Sequence, residues 1–415
     1  MTALRRIGPA LLAPLLAIVT ALVISGLVIV LIGESPFAAL RVMLDFGDTP
    51  AQQTQAIVVI VNRAIPLFLA GLAVSVAFRM GLFNIGVEGQ YRLATIVAAA
   101  AGAAVALPGP LHVLLIIVVA MVVGALWAGI VAVLKVTRGV SEVISSIMLN
   151  FIALGLASYL LTGPLRGSPP GASIITTAEI PESGWVPGLN GLLTGVGLAE
   201  PRTEMYGFLL VAVVAGLMVS VLIKRTRFGF DLRATGLSPS AATASGVDAR
   251  GMVLKTMLIS GAVAGLIGLP DLLGTSHHYG TEFTTGLGFL GIAVALLGRN
   301  SPLGIALAAL LFGFLDRAAI PLQFEGIPAS VVTIIQGTIV LAVVIANQVA
   351  RQITRRQAER GSAQAVAPPS TGNGSTGGGQ RPGGGPPPDD GPTTGIGTGT
   401  GVRNASGDAR QGAGA

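Results

Sequence analysis

Long apolar runs separated by brief polar punctuation fill most of residues 11–347. A bilayer's hydrocarbon core is about 30 Å thick and takes roughly 20 apolar helical residues to cross. By that measure ten runs are candidate spans: Leu11–Gly33, Ile57–Phe78, Ile85–Leu107, Leu111–Leu134, Glu142–Thr162, Tyr206–Ile223, Met252–Leu273, Gly286–Leu297, Leu303–Ala319 and Ala329–Asn347. The Gly286 run is too short for a full crossing. The pattern predicts an all-α polytopic membrane protein of about ten transmembrane helices, some of them broken. Arg5 and Arg6 precede the first run as they would a secretory signal, but Leu11–Gly33 is uncharged and exceeds the roughly 7–15 residues of a signal core.

Orientation follows from the basic residues, which cytoplasmic loops retain. Lys135 and Arg138 follow the fourth run, Lys224, Arg225, Arg227, Arg233, Arg250 and Lys255 surround the connection after the sixth, and Arg351, Arg355, Arg356 and Arg360 follow the last. All three clusters share one side if both termini are cytoplasmic. The loop Gly163–Glu204 sets Arg166 and Arg202 against Glu179, Glu182, Glu200 and Glu204, an acidic balance that suits the opposite face. Residues 1–350 therefore form the expected membrane domain. The Gly/Pro/Ser/Thr-rich remainder, 351–415, is expected to be a disordered cytoplasmic tail, because it has too little apolar surface to offset ordering. Its Asn373 and Asn404 sequons read as chance occurrences.

Composition agrees: 52% of the residues are hydrophobic, 11% are charged, and the mean hydropathy is +0.78. The absence of Cys excludes disulfides and thiolate chemistry. The formal charge of +6 resides beside the apolar runs, so anionic membrane lipid is the expected partner and nucleic acid is not.

A polar group left unsatisfied in lipid costs several kcal/mol, so irregular backbone survives at membrane depth only where protein or a water-filled cavity covers it. The stretch MGLFNIGVEGQYRL, Met80–Leu93, is such an interruption, and two readings are open. In one, Gly81, Gly86 and Gly89 permit a broken helix, Asn84 caps a half-helix, and Glu88 and Gln90 meet a passing solute. In the other, the glycines pack helices closely, as Gly261 and Gly265 are expected to do, and Glu88 pairs with Arg79 or Arg92. A second interruption, HHYGTEFTTGLGFLGIAVALLGRN, His277–Asn300, resembles the first. The two fall near opposite faces, the arrangement of an inverted repeat with a transport site where its halves meet. His277 and His278 have no third ligand close by, so no metal site is expected.

Glu142, Ser146 and Asn150 recur at i, i+4 and i+8 in GVSEVISSIMLNFIALGL, forming a polar stripe on one helix. It either bonds neighbouring helices or lines a solute path. Asn62 and Arg63, followed by Pro66, pose the same choice. In the connection Lys224–Lys255, Ser238 before Pro239 predicts the start of a short helix that ends near Gly246. Phe228, Phe230 and Leu232 make this connection more apolar than a solvated loop requires, which points to a docked partner.

Three of these stretches, FRMGLFNIGVEGQ, GVSEVISSIMLNFIALGLASYLLTGPLR and RTRFGFDLRATGLSPSAATASGVD, occur in the order seen in permease subunits of bacterial ABC importers. The chain resembles the branched-chain amino acid and simple sugar permease superfamily, most closely its nucleoside-importing branch, over roughly Leu11–Asn347. The resemblance implies a plasma-membrane location, a second permease subunit, a cytoplasmic ATPase that consumes the ATP, and an extracytoplasmic substrate-binding lipoprotein. It makes Phe228, Asp231, Arg233, Gly236 and Pro239 candidates for ATPase coupling. Asn84, Glu88, Gln90, Glu142 and Asn150 become pathway candidates, and Phe83, Phe151 or Phe283 could stack on a base. No cofactor is expected on this chain. A phosphate-cradling P-loop needs Gly-Lys-Ser/Thr, whereas Lys135, Lys224 and Lys255 follow Leu134, Ile223 and Leu254. A simple sugar or branched-chain amino acid permease is the nearest alternative. An ion-coupled transporter also uses broken helices, and a membrane enzyme would need a clustered catalytic constellation that the chain lacks.

Overall fold

The computed structural model describes residues 19–20 and 23–366. Leu11, Arg5 and Arg6 at the expected start, and the Gly/Pro tract with Asn373 and Asn404, lie outside the described residues. In chain order the helices are α1 (Val23–Ile32), α2 (Pro36–Leu44), α3 (Pro50–Phe78), α4 (Val87–Ala103), α5 (Gly109–Arg138), α6 (Glu142–Thr162), α7 (Asn190–Gly195), α8 (Phe208–Arg225), α9 (Arg227–Leu237), α10 (Pro239–Ala244), α11 (Ala249–Gly265), α12 (Leu269–Asp271), α13 (Leu287–Leu297), α14 (Pro302–Phe324) and α15 (Ala329–Val366). The expected boundary at residue 350 thus falls inside α15.

Seven described helices are long and apolar enough to cross a bilayer, or eight if α1 and α2, bent by 109°, count as one span. Each of the ten predicted runs contains helix, but a count of ten crossings is not confirmed. The helices that follow the two interruptions are short: α4 has 17 residues and α13 has 11. Local signals act where the sequence places them. Thr49 and Gln52 form a capping box at the start of α3, with Pro50 between them as its first residue. Ser238 accepts a bond from the Ala241 N–H, with Pro239 in the first turn of α10.

Helix α3 packs against α11, α13 and α14, and α5 packs against α4 and α11. The main core unites Leu69, Leu72, Tyr91, Ile116, Leu269 and Phe312. Because lipid tails are as apolar as leucine, close backbone approach rather than water exclusion holds such helices together, and it requires small residues. The α5–α11 seam meets that need. A Cβ on Gly261 would overlap the Gly124 carbonyl oxygen, and one on Gly265 would overlap that of Ala120.

The loop between α6 and α8 caps one end of the bundle and pairs with the segment after α12. Thr177 N–H donates to Tyr279 O at 2.8 Å and Ile180 N–H to His277 O at 2.9 Å. The Trp185 indole stacks on the His277 ring with centroids 3.8 Å apart. His277 Nδ1 is buried without a partner, and burial holds the imidazole below its ordinary pKa.

Gly261→Leu should drive α5 and α11 apart and lower the thermal midpoint in detergent, overpacking costing about 1–3 kcal/mol; an unchanged midpoint would show that the seam is not tight. His277 binds fewer protons folded than unfolded, so its contribution to stability rises with pH and is lost as pH falls below roughly 6.5, the unfolded value. In a Trp127→Phe background, acidification to below that point should shift Trp185 emission as the stack loosens, and His277→Gln should abolish the shift.

Candidate functional site

The interruption between α3 and α4 is a closed polar network. Glu88, the second residue of α4, is 3% exposed. Its Oε1 accepts from Arg92 Nε at 2.9 Å, Tyr91 OH at 3.2 Å and Gly286 N–H at 2.8 Å, while Oε2 accepts from Gly288 N–H at 2.9 Å. Gly286 and Gly288 open α13, so one carboxylate lies at the N-terminal ends of two half-helices. Their unpaired N–H groups and positive dipole ends stabilise a buried anion. Gly288 is required here, since its Cβ would overlap the Glu88 backbone nitrogen. Of the two partners considered for Glu88, Arg92 is the one that pairs. Arg79 instead donates to the Asn300 carbonyl.

Asn84 does not cap α4. Gly86 occupies that position, and no side chain caps the helix. The fully buried Asn84 and Gln90 exchange amide hydrogen bonds at 3.0 and 2.9 Å, and Asn84 Nδ2 also donates to Ser260 Oγ on α11. The α6 stripe faces the same break. Asn150 accepts from Gly89 N–H and donates to Ile85 O, both at 2.9 Å, as a backbone strand would. Glu142 pairs with Lys135 at 2.6 Å and accepts from Phe83 N–H at 3.5 Å.

The structure therefore brings Asn84, Glu88, Gln90, Glu142 and Asn150 together around one break. Phe83 is half exposed beside Phe78, and Phe151 is 69% exposed on α6. Phe283 is buried, stacked on Tyr279 with centroids 5.0 Å apart. Of these seven pathway candidates and Phe151, Phe283 lines a cavity of about 500 Å³ that also has Asn62, Arg63, Tyr206, Asp271 and Asp316 on its walls. Sequence reasoning passed over Asp271 and Asp316. Their signal was a lone carboxylate within an apolar run, which at membrane depth marks a functional candidate.

The coupling candidates gather on α9 and α10, where a cleft of about 650 Å³ is lined by Arg227, Phe230, Asp231, Leu237, Ser238 and Val247 among others. Phe230 and Leu237 are 64% and 89% exposed. Phe228 faces inward, against a cluster containing Met80, Val131 and Leu232. Arg233 donates to the Ile223 carbonyl, fixing α9 to the end of α8. Gly236 lets α9 lie on the α3 terminus, as its Cβ would be 2.5 Å from the Arg79 carbonyl oxygen. Pro239 starts α10.

Residues 56–344 match the family described as branched-chain amino acid transport system, permease component, and the chain belongs to that family. It is 36% identical over 342 residues to the glucose ABC transporter permease protein of Haloferax volcanii, covering 81% of this chain and 88% of the relative. It is 35% identical over 344 residues to the guanosine ABC transporter permease protein of Bacillus subtilis, covering 80% and 92%. Identity to the nucleoside ABC transporter permease protein of Lactococcus lactis is 29% over 350 residues, covering 80% and 90%. With its apolar spans, the chain is a membrane-embedded ABC permease component.

Glu88→Gln keeps the side chain's size but directs a donor at donors and leaves Arg92 unpaired. Breaking a buried pair costs roughly 3–5 kcal/mol, so the variant should melt earlier in detergent and be cleaved faster near residues 280–286. A wild-type melting curve would refute the pinning role.

Proposed function

We propose that this chain is a nucleoside permease subunit that works by alternating access, without an ATPase of its own. Its ATP-hydrolysing partner docks in the α9–α10 cleft. The observation that carries this reading is the pair of exposed side chains Phe230 and Leu237 beside that cleft. Both lie in the basic connection that the positive-inside rule assigns to the cytoplasm. Exposed apolar groups with a polar rim suit a protein interface. Asp231 faces the same cleft, while Phe228, Arg233 and Gly236 bind the platform to the bundle, so that a push on α9 reaches α3 and α8.

In the plasma membrane, with both termini cytoplasmic, the platform would face the ATPase, and the loop between α6 and α8 would face an extracytoplasmic binding lipoprotein. A second permease subunit would complete the complex, with membrane lipid around the exposed apolar faces of α5 and α8. Asn84, Glu88, Gln90, Glu142 and Asn150 would border the route as its fixed frame, while Phe283 faces the solute. The nucleoside assignment draws on the guanosine and nucleoside relatives and on the scarcity of intramembrane charge. A sugar permease is the second reading, favoured by the glucose relative.

Reconstituted with its cognate ATPase and binding protein, the complex should concentrate labelled guanosine in vesicles only when ATP is hydrolysed, and glucose should not compete. Preferential glucose uptake would establish the second reading. Leu237→Asp should abolish both uptake and ATPase co-purification while leaving the melting midpoint unchanged, since the side chain supports nothing within the chain.

A further inference from the structure

Arg63 lies halfway along α3, Asp316 lies in α14, and Asp271 ends α12; all three border the cavity of about 500 Å³. That volume falls within the roughly 300–1,000 Å³ of small-molecule sites. Ionisable groups inside membrane-spanning helices are unfavourable unless paired or functional, and α3 and α14 each carry one of these three within a span. Here mutual pairing does not explain them, because the ion pairs among the described residues involve none of the three. Asp271 accepts from Thr275 Oγ1 and Asp316 from Gln336 Nε2, each at 2.7 Å. Each carboxylate therefore keeps acceptor sites free.

We infer that this cavity is a solute-binding site within a single permease subunit, shaped for a neutral solute that carries neighbouring hydroxyls beside a flat ring. The assignment rests on the permease reading above. Carboxylates from two elements accept from hydroxyl donors, and the Arg63 guanidinium donates to hydroxyl or ring acceptors. An anion would meet two carboxylates, and Arg63 offsets one of their two charges. The Phe283 ring, backed by Tyr279, and the Tyr206 ring supply apolar faces for stacking. Phe283, Thr284 and Thr285 also belong to the segment that leads into the N-terminus of α13. Glu88 holds that terminus, so the site lies at a discontinuous helix. A rearrangement of α13 would change the cavity wall directly.

The chain has no Cys, so a single introduced thiol reports on the cavity. In the reconstituted complex, guanosine should slow modification of Thr285→Cys by a water-soluble thiol reagent at least fivefold and leave Val196→Cys unaffected. Asp271→Asn and Asp316→Asn should each raise the KM for guanosine at least tenfold. They should also narrow the preference for guanosine over 2′,3′-dideoxyguanosine, which lacks the paired hydroxyls; a fold defect alone would affect both compounds equally. Unprotected Thr285→Cys, or unchanged KM and preference in both Asn variants, overturns the site. So does a phospholipid retained in native mass spectra that is lost on Arg63→Gln while guanosine KM is unchanged. If the wild-type complex carries no nucleoside, the cargo reading fails instead; Thr285→Cys protection by glucose would then keep the site and change its ligand.

Discussion

A single carboxylate, that of Glu88, ties together the two places where the membrane helices of this protein are broken. Broken helices expose backbone N–H groups that water would satisfy in a soluble protein and that lipid cannot. Glu88 satisfies two of them on α13 while lying in the first turn of α4 and pairing with Arg92. Its negative charge is offset by two helix dipoles and a guanidinium, which is why it can be buried. Further groups of the first break are closed in the same way. Asn84 and Gln90 satisfy each other, and Asn150 takes the place of a missing backbone partner.

Around this centre, the helices approach through small residues. Gly71 faces Ile305 and Val294, Gly291 faces Ala70, and Gly313 faces the Ile60 carbonyl. Each contact involves α3, which becomes the shared wall between the broken segments and the outer helices. The arrangement leaves the ends of the bundle to do different work. The loop between α6 and α8 pairs with the segment that leads to α13 at one end, and the α9–α10 platform lies against the α3 terminus at the other. The first contacts the segment that Glu88 holds at Gly286, and the second contacts the end of α3, from which the chain runs on to Glu88. That continuity is a physical route from the platform to the cavity bordered by Phe283 and Arg63.

Several elements were legible without coordinates because their signals are local. The capping of α10 by Ser238, the seam of Gly261 and Gly265, and the apolar runs of α3, α5, α6 and α8 follow from residue type and spacing. The family, too, was readable from three motifs in order. The site was legible only in outline. Asn84, Glu88, Gln90, Glu142 and Asn150 stood out as polar residues in oily surroundings, but polarity does not say whether the partner is a solute or another helix. Asn84 shows the difference: its type suggested a helix cap, yet its amide pairs with Gln90 because Gly86 starts α4 and leaves Asn84 buried against α11.

The amino-acid pattern alone determined that this chain lives in lipid, where its helices break, which connection is basic, and that Gly-rich faces must meet. Those properties depend on hydrophobic length, charge and side-chain size along the chain. Tertiary structure decided that Glu88 serves α13, nearly 200 residues away, that Arg92 rather than Arg79 pairs with it, and that Arg63, Asp271 and Asp316 share one cavity. Hydrogen-bond partners and cavity walls depend on how helices stack in three dimensions, and residues from α3, α12 and α14 become neighbours only after that stacking is complete.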